Sequence, residues 1–355
     1  MIGFQELLQR ATESGASDIF IVSGKPLAYK KGPVITLMDT EMVMPESSRA
    51  LVAEAYAAAD REMKYLLETG DDDFAVSVKG LARFRISTYK QRSSLAAVIR
   101  VIPFGIPDYK SLNIPETVMA VSEHTKGLVL VTGPAGSGKS TTQACIIDKI
   151  NKTREGHIIT LEEPIEYLYR NEKSIISQRE ISLDTTDYIT ALRACLRQAP
   201  DVILLGEMRD FETIRTAMTA AETGHLVIST LHTVGSVNTI DRIIDIFPPN
   251  QQQQIRVQLS MLLRSVVSQQ LIRTVDDNIV PVFEVMNVNS AIRNMIRESK
   301  IHQIESTIGM SSGEGMISMD ASLMELYKEG RIDAETAMRH SLGAEMMSRR
   351  ISAAK

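Results

Sequence analysis

The sequence predicts an α/β protein of two domains: an α+β domain, then a parallel-sheet domain with a helical C-terminal part. Three observations predict this. Strand-sized apolar runs alternate with helical patterns in the second part of the chain, the first hundred residues mix the two periods, and a Gly/Pro-rich joint separates them. The 355 residues leave room for two domains of roughly 150 residues each. Hydrophobic residues make up 44% and charged residues 23%, enough apolar material for two cores. Lys plus Arg (39) fall short of Asp plus Glu (44), and the net charge of -5 weighs against a polyanion as the main partner. The two cysteines, Cys145 and Cys195, are too few for a disulfide framework or a four-cysteine zinc module. Both stand in apolar, helix-like stretches and read as reduced core residues of a cytosolic protein. No run approaches the roughly 18–20 apolar residues of a membrane span. Glu6, Arg10 and Glu13 make the N-terminus an amphipathic helix rather than a signal peptide.

The elements follow in order. Phe4, Leu7, Leu8 and Ala11 recur at helical spacing, and Ser17-Asp18 leads into the strand-like run Ile19–Val22. A helix is predicted over Pro45–Leu67, with Pro45 and Glu46 at its start. Asp71-Asp72-Asp73 marks a turn. Strands Phe74–Val78 and Ala82–Tyr89 come next, split by Lys79-Gly80, and Ala96–Ile102 forms a third. This N-terminal domain spans 1–102. Pro103 and Pro107 bracket the start of a linker over 103–112, since neither can continue a strand. Beyond it, Leu128–Thr132, Ile158–Leu161, Val202–Leu205 and Leu226–Thr230 are short apolar runs. Helical patterns at Lys139–Asn151, Asp187–Gln198, Phe211–Ala221 and Val237–Asp245 separate or follow them. Strands so uniformly apolar, joined by helices, imply a parallel sheet covered on both faces, assigned to 113–288. From Asn250 the pattern reads as mostly helical: Ile255–Leu271, Ser290–Glu298, Ile301–Gly309, Met319–Glu329 and Asp333–Ser341, with 289–355 as a C-terminal helical region. The 18 methionines, many near the C-terminus, read as adaptable packing.

Gly133-Pro134-Ala135-Gly136-Ser137-Gly138-Lys139-Ser140 fits G-x-x-x-x-G-K-[ST], directly after an apolar strand and before a helix. Glycines let successive N–H groups turn inward as an anion-binding nest, and the helix start adds its positive dipole end. Lys139 supplies charge to the β- and γ-phosphates, the Ser140 hydroxyl suits Mg²⁺, and Thr141 lies beside it. These residues predict a nucleoside triphosphate site.

The remaining candidates stand at strand ends. Glu162, Glu163 and Glu166 follow the second core strand, where ligands bind in open α/β sheets. One carboxylate there can orient a water and another can hold a metal's water shell. Asp201–Leu205 is a buried strand leading to Glu207, a Walker B-like acid expected at the metal or water; Arg209-Asp210 reads as a local ion pair or helix cap. His225 precedes the strand Leu226–Thr230 and His232 follows it, which makes His232 the better placed for nucleotide and His225 for a subunit contact. Arg83 and Arg85 share one strand face by alternation and Arg100 lies on the neighbouring strand. They are either a solvated face or cations offered to phosphate across an interface.

In sequence, GPAGSGKST, ITLEEPIEY, LRQAPDVILLGEMRD and AETGHLVISTLHT resemble the P-loop, acidic box, Walker B and His box of secretion-superfamily ATPases. More narrowly, the chain resembles PilT-type pilus retraction ATPases, with Ala291–Glu298 similar to their AIRNLIRE helix. The resemblance runs nearly end to end. It implies a PAS-like N-terminal domain joined to a RecA-like P-loop ATPase domain, and a homohexamer using ATP and Mg²⁺. It also implies work on a pilin fibre through an inner-membrane platform protein, at the inner face of the cytoplasmic membrane. By position, Glu166 matches the catalytic glutamate, Glu207 the Walker B acid, His225 and His232 the His box, and Arg85 and Arg100 the arginine pair that reaches the phosphates, Arg83 being the weaker match. One departure is Glu163, where the box usually has Asp; the charge stays but the reach grows by a methylene, so no direct role is assigned to it. Rival expectations are an accessory retraction or assembly ATPase, a nucleic-acid translocase, which the acidic charge and lack of basic, aromatic-interleaved stretches disfavour, and a nucleotide-dependent scaffold.

Overall fold

The computed structural model describes residues 2–32 and 34–353; Met1, Pro33, Ala354 and Lys355, which the expected domain ranges include, lie outside the described residues. The chain divides into two compact units, the first ending at Gly105 and the second starting at Ile106.

The first unit runs α1 (Phe4–Glu13), β1 (Asp18–Ile21), β2 (Pro26–Lys31), β3 (Val34–Met42), α2 (Pro45–Ala58), α3 (Lys64–Thr69), β4 (Asp71–Val78), β5 (Ala82–Gln91) and β6 (Ser94–Pro103). Its strands form one antiparallel sheet in the order β3-β2-β1-β6-β5-β4. The helical stripe of α1 is buried as its periodicity predicts: Phe4, Leu7, Leu8 and Ala11 join Tyr56, Phe84, Ile86 and Ile99 in one core. Two expectations fail here, and two strands were not foreseen. The single helix over Pro45–Leu67 is two, because α2 stops where Asp60 takes a left-handed φ of 51° and the Arg61 N–H bonds back to the Tyr56 carbonyl. Asp71–Asp73 opens a strand rather than a turn, because the buried Asp72 carboxylate is satisfied by the Tyr56 hydroxyl at 2.8 Å and by Arg61. Strands β2 and β3 were not expected, and β3 is an exposed edge with little apolar alternation to announce it.

The second unit runs α4 (Glu116–Met119), β7 (Gly127–Thr132), α5 (Lys139–Thr153), β8 (His157–Glu162), β9 (Ile175–Glu180), α6 (Tyr188–Cys195), β10 (Val202–Leu205), α7 (Phe211–Glu222), β11 (Leu226–Leu231), α8 (Ser236–Asp245), α9 (Pro249–Leu262), β12 (Leu263–Arg273), β13 (Ile279–Asn287), α10 (Ser290–Arg297), α11 (Ile304–Met310), α12 (Met319–Lys328), α13 (Ala334–His340) and α14 (Ala344–Ala353). The sheet order is β13-β12-β7-β11-β10-β8-β9, parallel throughout except for the β12–β13 hairpin. Alternate residues of each strand feed opposite cores: Leu128, Ile159 and Ile203 face α6–α11, while Val129, Ile158 and Val202 face α4 and α5. That is the doubly covered parallel sheet the apolar runs predicted. Met319, Met324 and Met347 pack with Leu323 and Ile272 in a separate C-terminal cluster, so these methionines are core. Cys145 and Cys195 are free and buried, each thiol pushed up to about 11 by burial.

The main correction concerns Ile255–Leu271. It is helix only to Leu262; from there β12 pairs with β7 on one side and β13 on the other, burying Val266 and Val267 completely. Central-sheet burial overrides a pattern that reads either way. Strand β9 was also unexpected. Helix α10, which carries the AIRNMIRE segment, is capped by Asn289 and pins Ile292 and Ile296 into the core, leaving Ala291, Asn294 and Arg297 exposed. Among the described residues no helix is long and apolar enough to cross a membrane.

Candidate nucleotide-hydrolysis site

Strands β7, β11, β10 and β8 are parallel neighbours, so their carboxyl ends share one edge of the sheet. The loops leaving that edge line a cleft of about 240 Å³. It is bordered by Ala135, Gly136, Lys139 and Ser140 from the P-loop, Glu162 at the end of β8 with Glu163 and Glu166 beyond it, Glu207 after β10 and His232 after β11.

Loop 133–138 is glycine-dependent for a reason beyond its anion nest. At Gly133 (φ 144°) a Cβ would strike the backbone carbonyl of Gln269 and lie 2.7 Å from the Ser137 hydroxyl; at Gly138 (φ 86°) it would lie 2.9 Å from the Gln269 amide. Strand β12 therefore lies directly against the loop, and Gln269 also accepts a 2.6 Å hydrogen bond from Thr142 in the first turn of α5. Lys139 is 8% exposed. Its ammonium donates to the Gly133 and Pro134 carbonyls, both at 2.9 Å, and lies 3.5 Å from His232 Nδ1. Burial lowers its pKa, and the carboxylates of Glu207 and Glu166 oppose that shift.

His232 joins the lysine to the acid, since its Nε2 is 3.3 Å from Glu207 Oε2. The other Glu207 oxygen pairs with Arg209, whose pKa rises mainly through that bond. Asp210 caps α7 by accepting from the N–H and hydroxyl of Thr213, both at 2.9 Å. Arg209 and Asp210 thus do what the local reading gave them, ion pair and cap. Thr141 bonds to the Tyr167 hydroxyl at 2.8 Å, one residue beyond Glu166.

Other candidates lie elsewhere. His225 sits at the amino end of β11, its Nδ1 3.0 Å from the Ala220 carbonyl and 3.1 Å from the Thr223 hydroxyl, and it does not line the cleft. Arg85 and Arg100 belong to the first unit, where they face each other across β5 and β6; the Arg100 Nε is 3.1 Å from Asp18. Phe84 and Ile86 point the other way into the core.

One acid of the cleft has a property that the sequence did not show, and several groups around it were invisible as functional positions. The Glu162 carboxyl, 8% exposed, is pushed up to about 7 by burial, with Glu166 adding to the rise. Tyr188 reaches over Gly206, where any Cβ would come within 2.8 Å of its hydroxyl. Gln178 and Glu180 come from the unexpected β9. The run Ser177-Gln178-Arg179-Glu180 is polar throughout, with no alternation to specify a strand.

The residues present fit Mg²⁺. The Ser140 hydroxyl and the Glu207 carboxylate are hard oxygen donors in one cleft with Lys139. Among the described residues no group of three or more His, Cys, Asp or Glu could by itself hold a metal ion. Mg²⁺ needs no such cage, because it keeps its waters and binds phosphate oxygens with one or two protein ligands.

The chain is 41% identical over 332 residues to the type IV pilus retraction ATPase PilT of Pseudomonas aeruginosa, spanning 94% of this chain and 96% of that one. It is 43% identical over 308 residues to a twitching motility protein of Neisseria gonorrhoeae, spanning 86% and 82% respectively. A crystal structure of the pilus retraction motor PilT with bound ADP superposes with a TM-score of 0.91 at 44% identity, covering 98% of this chain and 100% of that one. The type II/IV secretion system protein family matches residues 2–306. On the sheet order, the cleft and that match, the chain belongs to the type II/IV secretion system protein family.

Proposed function

We propose that this chain is an ATP-hydrolysing motor that drives type IV pilus retraction and with it twitching motility. The observation that carries the reading is the convergence of Lys139, Glu166, Glu207 and His232 on one cleft, in a chain that spans 96% of a pilus retraction ATPase.

The chemistry follows from the residues. When triphosphate enters, Lys139 exchanges its two carbonyl partners for phosphate oxygens, so binding releases the Gly133 and Pro134 carbonyls. Loop N–H groups from Ala135 to Thr141, at the start of α5, supply the rest of the anion site. Glu166 orients and deprotonates the attacking water. His232, placed between Lys139 and Glu207, relays the change at the lysine to the acid. Ser140 and Glu207 would hold Mg²⁺, which neutralises charge on the β- and γ-phosphates. Arg85 and Arg100 are assigned to closing over the γ-phosphate during the cycle, and His225 to a contact between subunits. The working assembly is a homohexamer at the inner face of the cytoplasmic membrane. It engages an inner-membrane platform protein and acts on the pilin fibre indirectly, without nucleic acid.

Phosphate release tests the hydrolytic part. Lys139→Ala is expected to abolish it, and Glu166→Gln to lower kcat by about 100-fold or more while ADP still binds. Near-normal turnover in Lys139→Ala would overturn the site. A deletion strain distinguishes retraction from assembly, since hyperpiliated cells support the former and bald cells the latter.

A further inference from the structure

The loop from Glu163 to Ser174 carries Glu166 and makes few regular backbone pairings of its own, yet it is held at several backbone points by two side chains of β9. The Gln178 Oε1 accepts the Tyr169 N–H at 3.0 Å, and its Nε2 donates to the Tyr167 carbonyl at 2.8 Å. One amide thus does for Tyr167 and Tyr169 what a neighbouring strand would do. Its orientation is fixed by these partners, because an N–H must face the oxygen and a carbonyl must face the NH₂. The same Nε2 reaches Glu162 Oε1 at 3.4 Å. Two residues along, Glu180 accepts the Ile165 N–H at 3.3 Å. Residues on both sides of Glu166 are therefore gripped from β9, and β9 is itself locked to β8 with Thr160 opposite Gln178 and Glu162 opposite Glu180. The Tyr167 hydroxyl carries the grip onward to Thr141, next to Ser140 in the first turn of α5.

We propose that Gln178 is a positioning residue for hydrolysis, its amide holding the Tyr167–Tyr169 backbone so that Glu166 meets the attacking water. This rests on the reading of Glu166 as the residue that orients that water. Gln178 touches neither nucleotide nor water; its effect passes wholly through the loop. A misplacement on the order of 1 Å at a catalytic group lowers turnover by up to about 100-fold, so loss of a two-point backbone grip is expected in the turnover number and not in nucleotide affinity.

The test is a double-mutant cycle on the full chain, read as phosphate release over a range of ATP concentrations together with ADP affinity and melting temperature. Gln178→Met keeps the length and removes both hydrogen bonds. It is expected to lower kcat about tenfold or more with KM for ATP and ADP affinity within about twofold. In a Glu166→Gln background the same change is expected to do nothing further, because there is no longer a carboxylate to place. Unchanged kcat in Gln178→Met overturns the proposal. So does an equal fall in both backgrounds, which would show that Gln178 acts elsewhere. Should Gln178→Met melt well below the parent, Gln178→Glu carries the same cycle: it keeps the acceptor for Tyr169 and loses the donor for Tyr167, with a smaller fall in kcat and the same non-additivity expected. Failure of the underlying reading looks different, because Glu166→Gln alone would then hydrolyse ATP normally whatever Gln178 does.

Discussion

Replacing Glu162 by glutamine removes a carboxyl that the second unit holds almost out of water. Burial dominates it: at 8% exposure the group is pushed from 4.5 up to about 7, despite the Gln178 amide donor 3.4 Å away that favours the anion. The groups that feel its charge are Glu166, Tyr169 and Tyr188. The folded chain therefore holds this proton more tightly than the unfolded one. The stabilisation is fully present below 4.5 and is lost as pH rises through about 7. At about 1.4 kcal/mol per unit, the difference reaches about 3 kcal/mol. Spread over a unit of about 250 residues, each contributing roughly 2.1 cal/mol/K, it moves the melting temperature by about 6 °C. Glutamine keeps the size and an acceptor for Gln178 but does not titrate. The variant is thus expected to gain on the parent as pH rises, from a gap of about 2 °C near pH 5 to about 6 °C near pH 8.5. Scanning calorimetry of nucleotide-free protein reads this directly. A gap that stays constant across that range would refute the claim that burial sets the charge of this carboxyl.

Two further outcomes are expected. Gly133→Ala places a methyl group against the Gln269 carbonyl at a φ of 144°, so it should destabilise the chain by about 2 kcal/mol or more and weaken ADP binding, checked by thermal melting and titration. His225→Ala should leave ADP affinity within about twofold, because the ring bonds to Ala220 and Thr223 and does not line the cleft, whereas Lys139→Ala should weaken it at least about tenfold in the same fluorescence titration.

Where the sequence was legible, one physical cause wrote the pattern. Helix α1 has a single buried stripe, and Leu7, Leu8 and Ala11 mark it without competition. The strands β7, β10 and β11 are buried on both faces, so every position is apolar or small and the runs stand out. Strand β12 failed because two causes coincide in it. Its residues continue from α9 without a Gly or Pro break, and the stretch from Ile255 to Leu271 has enough apolar residues to satisfy a helical period. The contrary signal was there, in the β-branched Val266-Val267 and in the Asp276-Asp277-Asn278 turn before Ile279–Val285, a hairpin signature. Reading it needed the turn to be weighed ahead of the period.

The site divides along a similar line. The groups assigned to phosphate or water were legible because that chemistry restricts the residue type and the spacing: glycines in the loop, a lysine at its end, acids and a histidine at successive strand ends. The groups that hold those in place carry no such restriction. Gln178 serves by the direction of its amide, Gln269 by where its backbone runs, and Glu180 by an oxygen that meets the Ile165 N–H. Many side chains at many spacings could do each of these jobs, so only the folded neighbourhood identifies the one that does. Two of the three sit on β9 and the third on β12, the strands that periodicity passed over. The supporting layer of the cleft was hidden with the strands that supply it, and the effect of Gln178 on turnover rather than on nucleotide binding is where that layer becomes measurable.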